Sequence, residues 1–136
     1  GDIEGALDRF VAVLVDQLEE LGPDHSDTLV TRWNIASWMG ETGDLGFAFP
    51  MMQALVEDQD RLAGPASPAT LETRYTLASW LARMGRVEEA VEAFEALVVD
   101  QRGLFGDDHP DVVRTEDVLA RLADVRLSQS AESPEA

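Results

Sequence analysis

Two histidines, ten arginines and 27 acidic residues carry the chemistry available to this 136-residue chain. Cysteine is absent, which excludes disulfides and thiolate nucleophiles or ligands. The run Asp107-Asp108-His109-Asp111 has metal-ligand residue types, but nothing completes the set. His25 and His109 occupy the same kind of linker, and a residue beside Pro110 more simply caps a helix. Carboxylates are abundant, yet none is matched with a nucleophile, a glycine-rich phosphate loop or a pocket signature. No catalytic residue, metal or cofactor is expected, and the Asp and Glu residues are mostly a solvated face.

Arginine and aspartate offer a more definite arrangement. Arg32 and Asp58 share a spacing with Arg74 and Asp100. If each pair sits on two antiparallel helices that turn near Gly43 or Gly85, its members lie at one height. The expectation is a structural ion pair within each hairpin, worth ~0.2–1 kcal/mol when partly exposed. The matching position farther on is Glu116.

The elements that would hold these groups are clearest from Leu71 to Gln101. Before a turn, Leu71, Leu77, Ala78, Trp80 and Leu81 are apolar; after it come Val87, Ala90, Val91, Phe94, Leu97 and Val98. That three-and-four spacing predicts two amphipathic helices. Gly85 marks the stop of the first, and Ser67-Pro68 opens it with a capping hydroxyl and a proline at the first helical position. The unit recurs. Residues 22–61 laid over 64–103 without a gap agree at 16 of 40 positions, including Arg32/Arg74, Ala36/Ala78, Trp38/Trp80, Gly43/Gly85, Ala48/Ala90 and Asp58/Asp100. The period is 42, as Gly22, Gly64 and Gly106 show, and an ungapped match at fixed period is the signature of a repeat array.

Residues 2–127 therefore form one all-α repeat domain of about six helices. Residues 2–20 align with a second helix alone, 22–61 and 64–103 are whole repeats, and 106–127 supply a first helix alone. A chain that begins halfway through a repeat fits a piece of a longer array or a shortened first repeat, with Gly1 a cloning remnant. Residues 26–42 make a first helix, after which Asp44 can cap the next. Pro50, where the following repeat has Glu92, predicts a kink or a late, irregular helix start near 45–50. Small polar residues at 128–136 predict a disordered tail.

Composition narrows the partners. A net charge of −17 argues against nucleic acid and anionic membrane, both of which need a basic face. No apolar run nears the ~20 residues needed to span a bilayer, and no signal peptide is visible, so a cytoplasmic location is expected. All ten basic residues are arginine, which with the alanine content fits a GC-rich bacterial genome.

The sequence resembles a tetratricopeptide array of the 42-residue kinesin light chain type, as found in actinobacterial proteins. The resemblance rests on Arg32-x-x-Ile35-Ala36-x-x-Met39 with Ala48-x-x-x-Met52, and on Arg74-x-x-Leu77-Ala78-x-x-Leu81 with Ala90-x-x-x-Phe94. The Leu-Phe-Gly-Asp-Asp-His-Pro-Asp linker at 104–111 adds to it. The resemblance implies a right-handed superhelix, an α-solenoid, whose first helices line a concave groove for a partner peptide or helix. By position, that groove would show Val30, Trp33, Asn34, Ser37 and Glu41, then Glu72, Tyr75, Thr76, Ser79 and Arg83, then Arg114, Asp117 and Arg121. The paired asparagines of the kinesin light chain pattern are matched at Asn34 alone.

Trp38 and Trp80 read as core packing beside the apolar face. Trp33 and Tyr75 read either as anchors for a partner or as packing between repeats. The expected function is a noncatalytic protein-interaction module. Alternatives are a self-associating structural array, pairing as a homodimer through exposed terminal helices, and a docking or regulatory segment of a larger signalling protein.

Overall fold

A computed structural model describes residues 2–132, with side chains placed from 4 to 131. Gly1 and the last four tail residues, 133–136, lie outside the described residues. Six α-helices follow one another: α1 (Asp2–Glu20), α2 (Ser26–Glu41), α3 (Leu45–Ala63), α4 (Pro68–Arg83), α5 (Val87–Phe105) and α6 (Pro110–Glu132). Among the described residues there is no strand, and no helix is long and apolar enough to cross a membrane. The chain divides into two compact units on either side of the Gly64–Pro65 step.

In the first unit α2 packs against both α1 and α3. Its core is Ile35 and Ala36 of α2 with Ala48, Met52 and Leu55 of α3, all at most 1% exposed. In the second unit α5 packs against both α4 and α6. Leu71, Ala78 and Trp80 of α4 meet a larger set on α5 centred on Phe94 and Leu97, and α6 adds Val112 and Leu122. The alanines repeated at 36/78 and 48/90 are fully buried, where any larger side chain would push the paired helices apart.

Each hairpin turns on a glycine that only a residue without Cβ adopts easily: Gly43 at φ +98° and Gly85 at φ +80°. Helix starts differ in how they are capped. Ser67 Oγ accepts from the Thr70 amide, with Pro68 in the first turn. Asp44 stands at the N-cap of α3, but its side chain makes no capping hydrogen bond, contrary to the sequence expectation. Buried threonines repeat with the same period. Thr31, Thr73 and Thr115 each donate their hydroxyl to the carbonyl four residues back, which satisfies a polar group inside the core.

Two further expectations need correction. The late, irregular start near Pro50 is absent, since α3 is helical from Leu45 through Ala63. Pro50 falls on the exposed side, and Gly46, whose carbonyl a proline four residues on cannot pair with, is exposed as well, so the lost bond lies on the solvent side of the helix. The final helix continues to Glu132, past the expected tail boundary at 128.

Candidate functional site

The paired arginines and aspartates come together in both units. Arg32 Nη1 lies 2.7 Å from Asp58 Oδ2, and Arg74 Nη1 lies 2.6 Å from Asp100 Oδ2. Each guanidinium also donates to a linker carbonyl, Arg32 to Pro23 at 3.3 Å and Arg74 to Pro65 at 2.9 Å. One side chain thus joins the linker, the first helix and the end of the second helix. The sequence did carry a signal for the linker partner: the Gly-Pro pair repeats at the same period. In the first unit Arg61 extends the network, reaching Asp58 at 3.2 Å and Asp24 at 2.8 Å. Asp58 is held below the ordinary carboxylate range, chiefly by its hydrogen bond to Arg32 and then by Arg61, against the opposing effect of burial. Glu116, which stands where an arginine would be, meets Arg102 of α5 at 3.3 Å.

Two open clefts contain part of the expected partner-binding set. The first, about 380 Å³, lies in the first unit and is lined by Phe10 of α1 with Trp33, Asn34, Ser37, Trp38 and Glu41 of α2. Helical spacing places 33, 34, 37, 38 and 41 along one stripe of α2. Phe10 and Trp38 meet edge to face at 5.6 Å between ring centres. Trp38 is only half-buried, whereas Trp80 at the matching repeat position is 4% exposed. The core role expected of both therefore describes Trp80 better. Ser37 Oγ is buried without a hydrogen-bond partner.

The second cleft, about 310 Å³, lies in the second unit, where Glu72 and Tyr75 of α4 face Asp111 and Arg114 of α6 above Gln101 and Phe105 of α5. Tyr75 is not an open ring. It meets Phe94 edge to face with ring centres 5.4 Å apart, and the Arg114 guanidinium lies 4.1 Å from its ring centre. Gln101 is 2% exposed, and its Oε1 has no hydrogen-bond partner. The same residue type recurs at Gln17 and Gln59 with the same unpartnered oxygen, a periodic feature the sequence shows but does not explain.

Residues 70–111 match the family model of the tetratricopeptide repeat, one repeat length. Solved structures align along nearly the whole chain. One, the Q17M form of a Podosopora anserina kinesin light chain protein with nearly identical TPR-like repeats, matches with TM-score 0.80 and 24% identity over 97% of this chain and 63% of that one. The same protein without that change gives TM-score 0.78 and 21% identity over 100% and 71%. BtubC (BKLC) of P. vanneervenii gives TM-score 0.82 and 18% identity over 98% and 54%. The fold is a tetratricopeptide repeat array. Identities this low carry the fold alone, and the chain spans between about half and seven tenths of the matched proteins. A comparison with curated protein sequences finds no match.

Within this tetratricopeptide array, seven of the thirteen groove positions named from the sequence enter one cleft or the other. Val30 stands apart as a 59%-exposed side chain. Thr76, Ser79, Arg83, Asp117 and Arg121 line neither cleft. Thr76 instead donates its hydroxyl to the Glu72 carbonyl within α4. Both histidines have their Nδ1 engaged at a helix start, His25 by the Asp27 amide and His109 by the Asp111 amide, each at 3.1 Å. His109 also stacks on Phe105 with ring centres 4.2 Å apart. An Nδ1 that accepts a backbone hydrogen bond has no lone pair left for a metal.

Proposed function

We propose that this chain is a noncatalytic protein–protein interaction module that holds a partner peptide or helix on the face of its first helices. The observation that carries the proposal is the first-unit cleft, where a stripe of α2 with two tryptophans and three polar residues lines an open cleft together with Phe10 of α1. Such a mixture of rings and hydrogen-bonding groups is what an interface anchor site requires. The tetratricopeptide fold supports the reading, since it is built from hairpins that need no central active site. In the same reading α1 and α6 act as the second and first helices of incomplete repeats.

The test is affinity capture from the source organism's lysate with the wild-type chain and with a Trp33→Ala/Asn34→Ala variant shown by circular dichroism to be folded. A defined protein retained by the wild type and lost by the variant is the expected result. Equal retention by both would move the interface off the first-helix face and contradict the proposal.

A further inference from the structure

The chemistry of the first-unit cleft specifies more than a generic partner. Its walls hold the rings of Phe10, Trp33 and Trp38, one carboxylate, Glu41, and no basic side chain. Tryptophan presents the strongest aromatic face to a cation, and guanidinium groups are the cations most often found there. A carboxylate beside the rings adds a direct charge partner, and the chain's net charge of −17 draws a cation toward the surface.

The second unit shows the same pairing made internally. Tyr75, one repeat period after Trp33, carries the Arg114 guanidinium 4.1 Å from its ring centre. Among the described residues no basic side chain lines the Trp33 cleft, although the repeat places an aromatic ring at both positions. Trp38 adds a second difference, because it is left open where its counterpart Trp80 is closed in the core.

We propose that the cleft between α1 and α2 binds an arginine side chain presented by a partner protein, stacked on the indole rings of Trp33 and Trp38 and charge-paired with Glu41. Asn34, which also lines the cleft, offers a side-chain amide oxygen as acceptor for a remaining guanidinium hydrogen. The inference rests on the reading of the first-helix face as the working surface. It adds the sign and type of the anchoring group.

The three tryptophans make the site directly observable, because each indole N–H gives its own signal in a nitrogen–proton correlation spectrum. The full chain is titrated with three capped tetrapeptides, tetra-arginine, tetralysine and tetraglutamate. Tetra-arginine is expected to shift the Trp33 and Trp38 indole signals in a saturable way and leave Trp80 in place. Tetralysine should act more weakly, since an ammonium lacks the planar stacking surface. Glu41→Gln, a conservative change at an exposed position, should weaken tetra-arginine binding about tenfold, as should Trp33→Ala. Shifts spread over the acidic surface while both indoles stay fixed would overturn the proposal, as would undiminished binding by Glu41→Gln. Movement of the same two indoles by tetraglutamate alone would overturn the arginine assignment while leaving the face as a binding surface. Partner capture that persists through some other face would fail the broader reading instead.

Discussion

Arg74 holds three parts of its repeat at once, and its removal should therefore cost more than removal of either partner. Arg74→Ala loses the Asp100 pair and the Pro65 carbonyl contact, whereas Asp100→Ala loses only the pair. Urea unfolding of both single variants and the double variant should give a coupling of ~1 kcal/mol or less, with Arg74→Ala the more destabilising single change. Strict additivity would remove the ion pair from the account. Asp58 gives a pH signature. Its folded value is depressed by Arg32 and Arg61, so its contribution is complete above the unfolded aspartate value of about 3.9 and is lost as pH falls through the lower folded value. The stability gap between the wild type and Asp58→Asn should be constant near neutrality and close progressively below about pH 4. A gap that persists unchanged at pH 2 would contradict the assignment. These pairs were legible in the sequence because residue type and spacing repeat at the period of the array. The Gly-Pro linker was legible by the same repetition, but not its carbonyl as the arginine's second partner, because a backbone acceptor carries no side-chain signature.

At the scale of the element, the helices follow from periodicity and turn chemistry, while local exceptions depend on what surrounds them. Gly43, Gly85 and the Ser67-Pro68 start all act as their residue types require. Pro50 does not, because one missing hydrogen bond on the solvent side of α3 disturbs the helix less than its buried face, anchored by Ala48, Met52 and Leu55, stabilises it. Restoring the amide should still help. Pro50→Ala is expected to raise stability by about 1–3 kcal/mol, read as a higher thermal midpoint. An unchanged or lower midpoint would mean that α3 already accommodates the ring without loss. The fate of Trp38 was also hidden at this scale. Identity to Trp80 predicts the same burial, but exposure is set by the neighbouring helix, and beside Trp38 that neighbour leaves a cleft.

Taken as a whole, the molecule carries 27 acidic against ten basic residues. Self-repulsion on that scale is expected to outweigh the exposed ion pairs, which salt also screens but each of which contributes little. Raising sodium chloride from about 0.02 M to about 0.5 M should therefore raise the thermal midpoint. A fall would show that the Arg–Asp and Arg–Glu pairs dominate. The same charge explains why the sequence could exclude classes of partner but not name one. Repeat period and apolar spacing determine a fold, whereas a docking surface depends on which side chains the packing leaves uncovered. Trp33, Asn34, Ser37 and Glu41 share one stripe by helical spacing alone; their union with Phe10 of α1 depends on how the two helices pack.

The most direct test of the first-helix face as the working surface is photo-cross-linking in living cells of the source organism. A photoreactive amino acid replaces Val30, an exposed first-helix position that does not line the cleft, or, for comparison, Gln53 on the exposed side of α3. One discrete cross-linked protein is expected from position 30 and none from position 53. The same product from position 53, with nothing from position 30, would place the interface on the second helices and contradict the first-helix reading.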